Sequence, residues 1–228
     1  KEETMTKIKS LFISLLLTLG VSTAIAGSHG STLDVVKERG KLMCGSNTGL
    51  AGFGNPNDEG VWEGIDVDVC RAVAAAVFGD ANAVEFVPTT SKVRFTVLQS
   101  GEIDMLSRNT TWTLQRDVEL GLEFVGVNYY DGQGFMVRKD LGVSSASELD
   151  GASVCIQVGT TTEMNLADYF KANGMSYEPI PVETNSEADA AYLAGRCDIY
   201  TTDASGLYAS SGGYPDPSAH IVLPEIMS

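Results

Sequence analysis

The stretch Ser107-Arg108-Asn109-Thr110-Thr111-Trp112-Thr113-Leu114-Gln115-Arg116-Asp117 gathers hydroxyls, an amide and arginine behind an expected strand at 103–106. A guanidinium matches a carboxylate with two parallel hydrogen bonds, and nearby hydroxyls and backbone N–H groups can close around the same anion. The segment suits holding a small carboxylate, with Arg116 as the anchor. The alternative is a surface arginine at a helix start, paired with Asp117 or Glu119. A second run, Gly159-Thr160-Thr161-Thr162-Glu163, follows a strand pattern and opens a helix pattern, so its N–H groups also offer an anion cradle. It lacks the lysine and spacing of a phosphate-binding loop, which disfavours phosphate. A plain helix cap is its other reading. Asp203 follows a strand pattern, at the carboxyl end where open α/β sheets bind ligands. It suits either a bound cation or the cap of a helix over 204–210.

The elements that must position these residues alternate along the chain. A helix over 33–39 leads to a strand at 41–44 and a glycine-rich loop. Apolar residues at helical spacing (Val67, Val69, Cys70, Val73, Ala74, Val77) predict a helix over 66–78 that stops at Gly79. A strand at 84–87, a helix over 93–99 and the strand at 103–106 follow. This order predicts βαβ units and a mostly parallel sheet. Residues 124–137 show no helical period and read as a long extended stretch. A second alternating run then places strands at 153–158, 177–182, 198–201 and 220–223, with helices over 163–173 and 186–194.

Residues 5–26 have a basic start, an apolar run from Leu11 to Val21 and small residues Ala24-Ile25-Ala26, the pattern of a secretory signal peptide cleaved after Ala26. The run is shorter than a membrane span needs. The whole chain carries 15 basic and 30 acidic residues, a net charge of −15, which argues against nucleic acid and anionic membranes as partners. The four cysteines, Cys44, Cys70, Cys155 and Cys197, would meet an oxidising compartment after export, and an even count favours pairing. Three pairings exist; Cys44–Cys70 with Cys155–Cys197 is preferred because each pair then stays within one alternating run. With only two histidines and no CxxC, a Cys/His metal site is disfavoured. No cofactor is expected.

Several segments, in order, resemble the solute-binding proteins of amino-acid ABC transporters, and among them the general L-amino-acid-binding subgroup. They are Asn47-Thr48-Gly49-Leu50-Ala51-Gly52-Phe53, Gly64-Ile65-Asp66-Val67-Asp68-Val69-Cys70, Leu98-Gln99-Ser100-Gly101-Glu102-Ile103-Asp104, the arginine loop, Val127-Asn128-Tyr129-Tyr130-Asp131-Gly132-Gln133-Gly134-Phe135, Gly159-Thr160-Thr161-Thr162-Glu163 and Ala194-Gly195-Arg196-Cys197-Asp198-Ile199-Tyr200-Thr201-Thr202-Asp203. The resemblance implies an α/β, two-lobed periplasmic binding protein of type II, with ligand in the cleft. It divides the chain into a signal peptide at 1–26, the N-terminal part of lobe I at 27–126, a hinge crossing at 127–134 and lobe II at 135–228. The return crossing and the rest of lobe I are expected after Ser228, so the chain is expected to be C-terminally truncated.

The resemblance also implies roles. Arg116 grips the ligand α-carboxylate. Asn109 and Thr111 bind the ammonium and carboxylate, Thr161 donates to the carboxylate from lobe II, and Asp203 receives the α-ammonium. Asn47 and Leu50 stand where relatives selective for cationic side chains have an aspartate and a tyrosine, and Ser91 stands near their aromatic stacker, so broad side-chain tolerance is expected. The implied function is periplasmic binding of L-amino acids and delivery to a membrane permease, by a monomer without enzymatic activity. Two alternatives remain: a dehydratase-like enzyme on the same fold (cyclohexadienyl or arogenate dehydratase), which needs a poised general acid or base, and the ligand-sensing domain of a receptor.

Overall fold

The computed structural model describes residues 30–227. The expected signal peptide lies outside the described residues. The N-terminal half begins with α1 (Thr32–Arg39), β1 (Leu42–Ser46), the short pair β2 (Asn55–Pro56) and β3 (Trp62–Glu63), and α2 (Ile65–Phe78). β4 (Val84–Pro88), α3 (Arg94–Gln99) and β5 (Met105–Leu106) complete it. β4, β1 and β5 form one parallel sheet in that order. α2 packs on it through Cys70 and Ala74, joining Leu42 and Cys44 of β1 and Val36 of α1 in a small core. The turn into α2 requires Gly64: its φ is 120°, and a Cβ there would lie 2.3 Å from the Phe53 carbonyl oxygen.

The C-terminal half holds β6 (Gln133–Arg138), β7 (Ser153–Gln157), α4 (Thr161–Ala172), β8 (Glu178–Val182), α5 (Asn185–Leu193), β9 (Ile199–Asp203), α6 (Ala204–Gly212) and β10 (His220–Val222). Its sheet runs β10-β6-β9-β7-β8. Both faces are covered, so the period-2 alternation of the strands sorts apolar residues between two cores. Phe135, Val137, Val154, Ile156 and Ile199 face Leu166 and Phe170 of α4. Met136, Cys155 and Tyr200 face Ala188, Ala191 and Tyr192 of α5 and Leu207 of α6.

The mostly parallel sheet expected of the first alternating run is present as β4-β1-β5, whereas the C-terminal sheet is mixed. β6 is antiparallel to both neighbours, β9 and β10. The expected extended stretch at 124–137 holds no helix, and its end, β6, joins a sheet.

Both preferred cysteine pairs are present. Cys44–Cys70 ties β1 to α2, with Cα atoms 6.2 Å apart. Cys155–Cys197 ties β7 to the turn before β9, with Cα atoms 5.6 Å apart.

Candidate functional site

The loops and helix starts that follow β4, β5 and β7 and the end of β9 converge on one narrow cavity. Ser91, Arg94, Asn109 and Thr111 line it from the N-terminal half, and Gln157, Thr160, Thr161, Thr162, Thr202 and Asp203 from the C-terminal half. Four of the seven expected ligand residues, Asn109, Thr111, Thr161 and Asp203, therefore share a wall. The enclosed space is about 10 Å³, about the room one water molecule needs. The halves touch around it: the Thr111 and Thr161 hydroxyls are 3.1 Å apart, and Arg94 donates to the Gly159 carbonyl at 3.4 Å.

Arg116 is not the surface arginine of the alternative reading. It sits in a single wide turn, Gln115–Glu119, with 6% of its surface exposed. Its Nη1 donates to the Thr111 carbonyl at 2.7 Å, and its guanidinium lies 5.1 Å from the centre of the Phe95 ring. It stands just behind the wall that Asn109 and Thr111 present to the cavity. Burial lowers its pKa and Asp203 raises it again.

Asp203 ends β9 at the position that caps α6, yet its side chain makes no capping hydrogen bond. Asp131 takes that role: its carboxylate accepts from the Ser205 N–H at 3.4 Å and from the Ser205 hydroxyl. Asp203 is thus left facing the cavity. Burial and the neighbouring Asp131 push its pKa up to about 6, against the pull of Arg94 and Arg116. A carboxylate in such a place gains most by pairing with a cation.

Gly159-Thr160-Thr161 divides its two readings between residues. Thr160 caps α4, accepting from the Glu163 N–H at 3.2 Å. Thr161, the first residue of the helix, faces Thr111. Asn47 and Leu50 sit beside the cavity. The Asn47 amide donates to Asn109 at 3.2 Å and to Asn185 at 3.0 Å. A Cβ on Gly206 of α6 would lie 3.7 Å from Leu50 Cδ1, so Leu50 covers the start of that helix.

Arg94 and Arg108 escaped the sequence reading as site residues. Arg94 is 2% exposed and donates to the Asn109 carbonyl and the Thr110 hydroxyl, each at 3.1 Å. Its guanidinium lies 4.8 Å from the Phe95 ring that Arg116 also approaches. Burial, then Arg108 and Arg116, push its pKa well below the usual guanidinium value. Arg108 donates to Ser91 through both terminal nitrogens at 3.4 Å. Burial lowers its pKa to about 10, partly offset by Asp66. Among the described residues, Arg94 Nε and Arg108 Nε are buried without a hydrogen-bond partner. The signal that could have found Arg94 is a charged residue inside the otherwise apolar helix turn Val93-Arg94-Phe95.

Arg94 thus lines one side of the cavity, with Arg116 behind Thr111 and Arg108 behind Ser91, and the Asp203 carboxylate stands on the other side. The sequence family described as bacterial extracellular solute-binding proteins, family 3, matches residues 42–191. The chain belongs to that family. This solute-binding protein is 58% identical to the glutamate/glutamine/aspartate/asparagine-binding protein of Rhodobacter capsulatus, over 92% of the chain and 62% of that relative. It is equally 58% identical to the general L-amino acid-binding periplasmic protein of Rhizobium johnstonii, over 93% of the chain and 61% of that relative. The chain therefore spans about three fifths of these relatives' length. A periplasmic binding protein from Brucella ovis, solved with glutathione bound, superposes with a TM-score of 0.84 at 58% identity, over 88% of this chain and 63% of that one. The type II binding-protein fold expected from sequence is shared with these structures. Among the described residues of this solute-binding protein, no cluster of His, Cys, Asp and Glu could hold a metal ion.

Proposed function

We propose that this chain binds L-amino acids in the periplasm and delivers them to the membrane permease of an ABC transporter, acting as a monomer. Residues 27–126 and 135–228 act as the two lobes, joined through 127–134. One observation carries the proposal: Arg94 lines the cavity opposite Asp203, and Arg116 lies close enough behind that wall to act on the same carboxylate, a charge pattern complementary to an α-carboxylate and an α-ammonium. Arg116 anchors the carboxylate with help from Asn109, Thr111 and Thr161, and Asp203 takes the ammonium. Neither lobe alone pairs both charges, so the closed state binds the zwitterion better than the open one, which is what closure on a ligand requires. The wall residues are mostly hydroxyls and amides, which suits the polar side chains named for the Rhodobacter relative.

The test is thermal melting of the protein against the twenty L-amino acids and their α-decarboxylated analogues. A ligand that binds only the folded state raises the melting temperature. Shifts with amino acids and none with decarboxylated forms support the proposal; no shift with any amino acid overturns it. The raised pKa of Asp203 favours a second reading, a dehydratase-like enzyme with Asp203 as general acid. Product formation from prephenate or arogenate would distinguish it.

A further inference from the structure

We propose that Asn185 is a positioning residue that fixes the closed cleft through a buried amide chain, without touching ligand. The proposal rests on the reading of the protein as a receptor that closes on its ligand. Asn185 is the first residue of α5 and is 2% exposed. Its Oδ1 accepts from the Asn47 amide at 3.0 Å, a contact across 138 residues of chain. Its Nδ2 donates to Gln157 Oε1 at 3.3 Å and to the Tyr200 hydroxyl at 3.2 Å. The same Asn47 amide donates to Asn109. Asn109 and Gln157 both line the cavity, whereas Asn47 and Asn185 do not. A continuous chain of amides therefore runs from one cavity wall to the other and passes behind the site.

Three features make this chain the candidate for setting closure. Asn47 and Asn185 are both almost fully buried, so opening the cleft exposes amides that must then pair with water. A buried amide left without its partner is costly, which makes the bond matter most in the closed state. The backbone beside it approaches without slack: a Cβ on Gly49 would lie 3.0 Å from Ser186 Oγ, the residue after Asn185. Any larger residue at Gly49 would have to displace the Ser186 hydroxyl, so glycine favours this close approach. The cross-cleft ion pair of Lys92 with Glu183, by contrast, is more than half exposed on both sides and contributes little.

Because Asn185 acts on closure and not on ligand, its loss changes every ligand alike. Asn185→Ala lowers affinity about three- to tenfold for all amino acids that bind, through faster dissociation with unchanged association. The relative ranking of ligands is preserved. The ligand-free variant also scatters X-rays as a more open molecule. Gly49→Leu, which wedges the loop from α5, supplies the open reference. Asn47→Ala breaks the same bond from the other side, in case Asn185→Ala disturbs α5. The double variant Asn47→Ala/Asn185→Ala is no more open than either single one if both act through one bond. A radius of gyration equal to that of the wild type in a folded Asn185→Ala or Asn47→Ala protein overturns the proposal, as does additive opening in the double variant. The scattering measurement needs no ligand. Absence of amino-acid binding by the wild type would therefore defeat the functional reading and leave the test of the latch intact.

Discussion

The two halves of the molecule solve different problems. The C-terminal half is a five-stranded sheet covered on both faces, with Phe135, Phe170, Tyr192 and Tyr200 at or below 1% exposure. The N-terminal half has a three-stranded sheet, a short two-stranded pair and one small core around its disulfide. Its segment from Trp112 to Tyr130 also exposes Leu114, Val118, Val125 and Tyr130 at 69% or more. Yet this sparse half carries the three buried guanidiniums, whose mutual repulsion and desolvation work against folding. Stability is concentrated in one half and cationic chemistry in the other. The low-stability end of a structure is where opening begins, so the arginine side is expected to yield first.

The difference can be broken or sharpened experimentally. The largest effect should come from the disulfides. Their loops span 26 and 42 residues, so chain entropy assigns about 3–4 kcal/mol to each. Replacing Cys44 and Cys70 by Ser should abolish amide protection in residues 32–106 while the C-terminal sheet stays protected. Loss of protection throughout the chain would show that the halves fold as one unit. Arg116→Ala should next lower affinity for every amino acid by about a hundredfold, the worth of a charged bidentate contact. Calorimetry across a ligand panel measures this, and retained binding would remove Arg116 from the anchor role.

Asp203→Asn should cost binding and add stability. The carboxyl titrates near 3.8 when unfolded and near 6 when folded. Below pH 4 both states are protonated and the group costs nothing. As pH rises from about 4 to 6 the folded state holds its proton more tightly, so stability falls; above 6 the full cost of up to about 3 kcal/mol stands. Asp203→Asn should therefore melt higher at pH 7 and no differently at pH 4. The same titration sets binding: an ammonium needs the ionised form, so affinity should be full above pH 6 and fall about tenfold per unit below it. An equal melting difference at both pH values would detach the effect from titration. The smallest effect should be Lys92→Ala, which removes an exposed ion pair across the cleft and should cost under about 1 kcal/mol.

Much of this arrangement could be read from the residues. Helix α2 followed from its apolar spacing and ended at Gly79 as expected. The cysteine pairing followed from the grouping of elements. The arginine loop announced itself because its polar residues are consecutive. Arg94, by contrast, lies 22 positions before Arg116 within an ordinary helical pattern, and only the shared Phe95 ring brings the two together. The Asn47–Asn185 contact joins positions with no local signal at all. The direction of β6 was hidden for a related reason: strand patterns carry side-chain alternation but no arrow, and only its pairing shows it antiparallel to β9 and β10. Asp203 suited either a cation or a cap by local rules, and that Asp131 from a distant loop takes the capping role is visible only in three dimensions.

The buried guanidiniums also have a kinetic meaning. The chain as a whole carries a net charge of −15, so a molecule approaching from a distance meets a negative field and encounters the arginines only inside the cleft. If the proposed function holds, an anionic amino acid should be slowed on the way in and a cationic one drawn toward the surface. Added salt screens only the outer field, over about 10 Å at 0.1 M. Raising ionic strength should therefore speed the capture of glutamate and slow that of arginine, leaving the dissociation of each nearly unchanged: the exterior sets how fast a solute is met, and the interior sets how long it stays.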